Sequence, residues 1–170
     1  MNHLLEATAE ALQGMRPEYA VFLISALPIF EIRGGVIAGA YFKLSLGQVL
    51  LWGFLGNISS VTPVLLLLEP LTKWLYGNRL ADRVFHWLFA RARRKADQVN
   101  RWGPLGLLLF TAIPLPVSGA WTATLISILL GVHRGRAIAS IYIGILIAGL
   151  AVSGLTHGVI AGWKTLSVTP

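Results

Sequence analysis

Two apolar runs in this chain are long enough to cross a membrane. Residues 46–68 carry no charged side chain, and residues 137–162 form a second apolar run that contains His157. The hydrocarbon core of a bilayer is about 30 Å thick, and a helix needs about 20 apolar residues to cross it. The pattern therefore predicts two transmembrane helices.

A third apolar run is interrupted before it could cross. Residues 19–30 are apolar but too few to span, and the break at residues 28–35 contains one proline and two glycines. A second short apolar arm, residues 36–42, follows and ends at Lys43. Broken backbone at membrane depth is tolerated only where protein or a water-filled cavity covers it. We expect a re-entrant helical hairpin, which enters and leaves on the same side.

Residues 103–132 carry no charge but are broken in the middle by two prolines and a glycine. A single crossing would place Arg134 and Arg136 on the opposite side from the arginine-rich segment 69–101. A second hairpin would place both basic segments on the cytoplasmic side, as the positive-inside rule requires. The rule favours the hairpin, with Lys43 and both chain termini on the outer side.

Each half of the chain is then a hairpin followed by a span, and the halves have opposite orientations. An offset of 86 positions aligns Pro28 with Pro114. Inverted repeats with broken helices are typical of transporters, whose substrate sites lie near the bilayer midplane. The predicted fold is one all-α integral membrane domain built from two inverted repeats. Its parts are a surface helix (1–18), the first repeat (19–68), a basic amphipathic linker (69–102) and the second repeat (103–162).

Composition and charge support this assignment. The chain is 55% hydrophobic and 12% charged, whereas soluble domains have about 25% charged residues. Its formal net charge is +7, but the basic residues of segment 69–101 lie beside apolar spans and tryptophans. This pattern indicates a cytoplasmic face on anionic lipid headgroups of the plasma membrane, not a nucleic-acid surface. A solvated linker helix is the alternative for this segment.

Glu31 and Arg33 are the main candidates for a binding site, because charges at membrane depth are costly and mark functional positions. The guanidinium fork of Arg33 suits a phosphate or carboxylate. Gly34 and Gly35 would allow close backbone approach, and a half-helix starting there would direct unpaired N–H groups at the same anion. Glu31 is either the counter-ion of Arg33 or a group that takes up a proton as substrate enters.

The second break supplies the remaining candidates. Ser118 and Thr122 offer hydroxyl groups, and a half-helix that starts after Gly119 could face the first break. Trp121 would contact an acyl or prenyl tail or lie in the core. On the first span, polar side chains would cross-link helices or face a cavity: Asn57, Ser59, Ser60 and Thr62. The full set of substrate-binding candidates in the second break is Pro114, Pro116, Ser118, Gly119, Trp121 and Thr122.

Catalysis is not expected from this sequence. The chain has no cysteine, no metal-ligand spacing and no nucleotide-binding glycine pattern. We therefore expect no enzyme activity, no metal and no cofactor. Two spans can barely enclose a cavity, so a homo-oligomer is expected.

Residues 31–35 and 111–122 resemble the two signature stretches of the small multidrug export proteins, a likeness that covers roughly residues 20–160. That family is similar to the DedA group and its eukaryotic relatives. The resemblance implies two oppositely oriented re-entrant loops that meet in the membrane. It also implies handling of a lipid, because DedA relatives are implicated in recycling undecaprenyl phosphate and the eukaryotic relatives in scrambling phospholipids.

Three functional hypotheses follow. In the first, the protein is a translocase of an anionic lipid carrier such as undecaprenyl phosphate, with Arg33 on the phosphate and Glu31 as a proton-linked acid. In the second, it exports small molecules, and Glu31 attracts a cationic drug. In the third, it is a non-transporting membrane scaffold that acts through the basic segment 69–101.

Overall fold

The protein is all-helical over the part of the chain that the structure, a computed structural model, describes: residues 15–74, 83, 90, 96, 99, 102–113 and 119–166. These residues form six α-helices and no β-strand. The helices are α1 (Pro17–Ala26), α2 (Glu31–Tyr41), α3 (Leu46–Trp74), α4 (Pro104–Ala112), α5 (Ala120–Leu129) and α6 (Arg134–Leu166). The predicted surface helix lies almost entirely outside the described residues, as does most of the basic linker.

Two of the helices, α3 and α6, are long and apolar enough to cross a membrane, over Leu46–Leu68 and Arg134–Thr156. Only 33% of the first of these apolar stretches and 39% of the second is buried inside the protein. Large apolar side chains such as Leu67 and Leu150 point outward, at 59% and 53% exposure. An apolar outer surface of this kind is suited to lipid rather than water.

The first span has the bounds that the sequence pattern predicts, whereas the second does not. The first apolar span coincides with the predicted 46–68, but α3 continues to Trp74 with Pro63 and Pro70 inside it. Charged residues after Leu68 end the apolar run, yet charge does not terminate a helix. The second span begins at Arg134 rather than at residue 137, because α6 includes the polar residues 134–136 in its first turn.

The other four helices are too short to cross. They contain 10, 11, 9 and 10 residues, and at 1.5 Å per residue each is about 15 Å long, half the thickness of a hydrocarbon core. Because α4 ends at Ala112 and α5 begins at Ala120, residues 103–132 do not form one continuous helix. A crossing of the membrane by one continuous helix in this segment is therefore excluded.

The same order of short, short and long helix occurs twice, and the second short helix ends in the same way each time. After α2, the N–H of Leu44 donates to the carbonyl of Gly39 at 2.9 Å. After α5, the N–H of Val132 donates to the carbonyl of Ser127, also at 2.9 Å. Both bonds belong to the turn that commonly closes a helix C-terminus. The two halves therefore share local geometry as well as element order.

The first short helix of each half packs closely on the long helix of the same half. A Cβ added at Gly56 of α3 would lie 2.9 Å from the carbonyl carbon of Phe22 in α1. A Cβ added at Gly144 of α6 would lie 2.9 Å from the carbonyl oxygen of Leu108 in α4. Backbone atoms cannot move aside as a side chain can, so both positions require glycine. The second short helices, α2 and α5, each pack against both long helices.

Alanine at these two contacts should destabilise the fold. We expect Gly56→Ala and Gly144→Ala to cost about 1–3 kcal/mol each through overpacking, partly offset by the better helix propensity of alanine. Thermal unfolding in detergent micelles measures the effect. Gly47→Ala is the matched control, because no atom lies within 4 Å of its added Cβ. Equal melting temperatures for all three variants would contradict this packing.

The basic linker (69–102) contributes two residues near its C-terminal end to the core. Ala96 and Val99 are helical and buried, at 5% and 0% exposure. An added Cβ at Gly106 of α4 would lie 3.0 Å from the Cα of Val99. These two residues are therefore part of the packed body, whereas Arg83 and Ala90 are exposed. The amphipathic character predicted for the rest of the linker falls outside the described residues.

Candidate functional site

Glu31 is the first residue of α2, and its side chain reaches the start of α5. It is 7% exposed. Its Oε2 accepts a hydrogen bond from the N–H of Ala120 at 3.2 Å, and its Oε1 accepts one from the N–H of Trp121, also at 3.2 Å. The first N–H groups of a helix have no partner within the helix and carry its positive partial charge. The Glu31 carboxylate therefore caps α5.

Gly119 makes room for this carboxylate. A Cβ added at this position would lie 2.6 Å from Cδ of Glu31, closer than any real contact. The backbone of Gly119 is extended, with φ of 166°, a conformation open to every residue. Gly119 is therefore required for space and not for backbone freedom.

Arg33 binds the end of α4, on the other side of the second break from α5. Its Nη2 donates to the carbonyl of Thr111 at 3.3 Å and to the carbonyl of Ile113 at 3.1 Å. These carbonyls belong to the last turn of α4 and to the residue after it, where the helix carries its negative partial charge. A cation at a helix C-terminus and an anion at a helix N-terminus are each stabilising.

Glu31 and Arg33 together hold both helix ends that flank the second break. We call this arrangement the helix-end clasp: the two side chains and the four backbone groups of residues 111, 113, 120 and 121 that they bind. It joins α2 of the first half to α4 and α5 of the second half. The two charged side chains of one element thus satisfy orphan donors and acceptors of two others.

The backbone at Glu31 is strained. Its φ is +52°, in the left-handed region that residues other than glycine rarely occupy. Such a conformation costs about 1–3 kcal/mol and concentrates at functional sites. Since neighbouring interactions must hold this backbone in place, the clasp and the strained residue belong to one unit.

Gly34 and Gly35 differ from the sequence prediction. The half-helix begins at Glu31, not after Arg33, so both glycines lie inside α2. The N–H of Gly34 donates to the carbonyl of Phe30 at 3.0 Å. Gly35 packs against α1, where an added Cβ would lie 3.2 Å from the carbonyl oxygen of Val21. The amide of Gly34 is therefore engaged within its own helix, and Gly35 serves close packing.

Trp121 and Thr122 lie in the first turn of α5, and both are half-buried. Trp121 packs against the hydrophobic core, which favours the core position among the two considered for it. Pro114, Pro116 and Ser118 lie outside the described residues, so their part in binding stays a prediction. Of the second-break candidates, the structure brings Gly119 and the backbone of Trp121 to the acid of the first break.

The polar residues of α3 divide into two groups. Ser59 and Ser60 donate to carbonyls of their own helix at 2.7 and 2.9 Å. Thr62 also donates to its own helix, at the carbonyl of Ile58, and in addition shares a hydrogen bond with the hydroxyl of Tyr142 that links α3 to α6. The amide of Asn57, which is fully buried, has no hydrogen-bond partner among the described residues.

Sequence reasoning selected both charged residues but missed their partners. The carbonyls of Thr111 and Ile113 and the N–H of Ala120 are backbone groups, which every residue type carries. The only available signal was the predicted helix break itself, since a break always leaves such groups without helical partners. Chemically, the site is a buried carboxylate held by two amides, beside a guanidinium. Within the described residues no group of histidine, aspartate and glutamate could hold a metal ion.

Comparison with known proteins gives one match. The model of a family described as "putative small multi-drug export protein" matches residues 31–151. The match begins at Glu31, inside the first break, and includes the whole of the second break. No curated protein and no solved structure matches the chain.

Proposed function

The chain belongs to this small multi-drug export family, and we propose that it exports small molecules across a membrane through the site at the helix-end clasp. The observation that carries the proposal is the Glu31 carboxylate, buried and bound by two backbone amides of another half-helix. The two long apolar helices supply the membrane anchor. A buried acid at membrane depth is a functional residue by default.

We further propose that the two halves are inverted repeats with re-entrant hairpins. Four helices of about half a membrane thickness and two matching helix terminations support this proposal. In this topology α2 and α5 return to opposite sides of the membrane, and their N-terminal ends meet at the clasp. The proposal also includes a plasma-membrane location with the basic segment 69–101 on the cytoplasmic side.

Glu31 is the proposed exchange site. A proton or an organic cation that neutralises its carboxylate removes the negative charge from the N-terminus of α5. The two hydrogen bonds from α5 to Glu31 of α2 then weaken, while Arg33 still binds the end of α4. Such a change gives α5 two positions relative to α2, and alternating access needs an element with two positions.

The anionic lipid carrier is a weaker candidate for the substrate. In the lipid hypothesis, Arg33 and the α5 amides form the phosphate cradle. In the structure the amides of Ala120 and Trp121 bind Glu31, and Arg33 binds backbone carbonyls. The family description names drug export and no lipid. A small molecule that competes for Glu31 is therefore favoured.

Transport of a fluorescent organic cation in sealed proteoliposomes tests this function. We expect wild-type protein to move ethidium in exchange for protons that flow down their gradient, and Glu31→Gln to slow this transport by about ten-fold or more because the exchangeable charge is gone. Glu18→Gln is the matched control, an acid of the same half that pairs with exposed Arg16 at 3.6 Å. It should transport at the wild-type rate.

Two results would replace the proposal. Transport of a polyprenyl phosphate that is lost in Arg33→Ala, with ethidium ignored, would establish the lipid hypothesis instead. A cellular function that survives in the Glu31→Gln, Arg33→Ala double variant would leave the scaffold hypothesis.

A further inference from the structure

A cavity of about 580 Å³ lies between α3, α5 and α6, and none of the described residues that line it belongs to the clasp. Ligand pockets commonly have volumes of about 300–1,000 Å³, so this one is large enough for a small molecule or a lipid headgroup. We call it the corner cavity, because the turn between α5 and α6 forms part of its lining. The lining includes Leu65, Ser127, Ile128, Val132, His133 and Arg134.

The corner cavity lies at one end of both apolar spans. Leu65 is in the last turn of the first span, Leu46–Leu68, and Arg134 is the first residue of the second, Arg134–Thr156. In the proposed topology this is the cytoplasmic end, and the basic segment 69–101 begins there. The cavity therefore lies at the boundary between the hydrocarbon core and the lipid headgroups.

The inner part of the corner cavity is buried, whereas its rim is exposed and carries basic side chains. Leu65 and Ser127 are 3% and 2% exposed, and the Ser127 hydroxyl donates to the carbonyl of Thr124 at 2.7 Å. His133 and Arg134 are exposed. None of the described lining residues is acidic. A basic rim repels organic cations, so the cavity does not suit the proposed exported substrate and favours an anion instead.

Arg134 and His133 suit a phosphate group in particular. A guanidinium has five N–H donors and can hold a phosphate with two parallel hydrogen bonds. A neutral imidazole adds one more N–H donor. The His133 ring lies beside the first turn of α6, where its Nδ1 is 3.5 Å from the Cβ added at Gly135. Donors from two adjacent residues thus lie at the rim of the cavity.

The corresponding corner of the first half is closed by its own side chains. The hydroxyl of Ser45 donates to Oε1 of Gln48 at 2.8 Å, and the N–H of Ser45 donates to the same oxygen at 3.1 Å. The two halves have equivalent turns before this point, so Ser45 corresponds to His133 and Gln48 to Arg136. Arginine has no acceptor atom, so Arg136 cannot accept a bond as Gln48 does. A bound anion would supply such an acceptor at the second corner.

We propose that the corner cavity binds the phosphate headgroup of an acidic phospholipid, with Arg134 and His133 on the phosphate and an acyl chain along Ile128 and Val132. This lipid is a resident of the cavity, and the proposal does not depend on which substrate is exported. A lipid is favoured over a soluble anion because the cavity adjoins two spans whose outer surfaces are apolar. Basic pockets between membrane helices on the cytoplasmic side are typical sites for acidic headgroups.

Lipid retention tests the proposal. Wild-type protein is released from nanodiscs made of phosphatidylglycerol and phosphatidylcholine in equal parts, and native mass spectrometry identifies the lipid that stays bound. We expect phosphatidylglycerol to be retained, and Arg134→Gln to lower its retention by about ten-fold through loss of the charge-assisted bonds. Arg136→Gln is the matched control, because it removes the same charge from the same turn of α6 but is not among the residues that line the cavity. It should retain phosphatidylglycerol as the wild type does.

Thermal unfolding distinguishes a lipid from a soluble anion. Wild-type protein should melt about 5 °C higher in the mixed nanodiscs than in nanodiscs of phosphatidylcholine alone, because a ligand of the native state stabilises it. Inorganic phosphate added to the phosphatidylcholine nanodiscs should not reproduce this rise. Arg134→Gln should lose the rise and should melt like Arg136→Gln in phosphatidylcholine alone.

Four results would overturn the proposal. Equal retention of the two lipids by the wild type would show no preference for an acidic headgroup. An equal loss in Arg136→Gln would assign the preference to surface charge and not to the cavity. A rise in melting temperature with inorganic phosphate alone would make the ligand a soluble anion. A lower melting temperature of Arg134→Gln than of Arg136→Gln in phosphatidylcholine alone would make Arg134 a structural residue.

Discussion

The Gly119→Ala variant is expected to export about ten-fold more slowly than wild type or worse. The new methyl group would lie 2.6 Å from Cδ of Glu31, so the carboxylate has to leave the N-terminus of α5. Both of its hydrogen bonds are then lost, and each such charge-assisted bond contributes about 1.5–3 kcal/mol. The variant should also melt lower. Ethidium transport and thermal unfolding on the same preparation measure both effects.

A shorter acid provides the rescue experiment for this variant. In the Gly119→Ala, Glu31→Asp double variant, the carboxylate is drawn back by one methylene group and leaves space for the methyl group. We expect the double variant to export faster than Gly119→Ala alone. Gly154→Ala is the control, because its added Cβ meets no atom within 4 Å. Full activity in Gly119→Ala would show that the clasp is not needed for transport.

Arg33→Ala is expected to lower the stability of the fold substantially. It removes both hydrogen bonds to the end of α4 and leaves the buried Glu31 charge without a nearby cation. Breaking one partner of a buried charge arrangement costs about 3–5 kcal/mol, and the half-exposed position of Arg33 lowers this to about 2–4 kcal/mol. Thermal unfolding in nanodiscs measures the loss.

Two comparisons identify the cause of that loss. Arg33→Lys keeps the charge but not the fork of donors, so it should recover part of the stability. Arg16→Ala breaks the exposed pair with Glu18 and should cost less than about 1 kcal/mol. A loss in Arg33→Ala no larger than in Arg16→Ala would contradict the clasp geometry.

Much of the architecture could be predicted because apolar length is a strong signal. The span 46–68 and the break in residues 103–132 follow from hydrophobicity, prolines and glycines alone, and the structure has both features. The start of α2 at Glu31 could not be predicted, because it depends on a left-handed φ at a residue that rarely adopts one. Tertiary contacts hold that backbone, and a single sequence does not contain them.

The candidate site could likewise be predicted from the sequence only in part. Costly charges in an apolar chain pointed to Glu31 and Arg33, but the partner expected for Arg33 was an external anion, and the partner expected for Glu31 was Arg33 or a proton. The structure pairs each charge with the oppositely polarised end of a helix instead. Gly119 was selected as a helix start, and its actual role is to leave space for a side chain from the other half of the chain. Contacts between residues so far apart in sequence arise only when the halves pack together.

The amide resonances of Ala120 and Trp121 in isotope-labelled protein test the central claim most directly. If the Glu31 charge holds α5, acidification of the protein in nanodiscs should shift both resonances as the carboxylate takes up a proton, because their hydrogen bonds lose charge assistance. The Glu31→Gln variant should show neither shift. Resonances that do not move in the wild type, or that move equally in Glu31→Gln, would contradict the account.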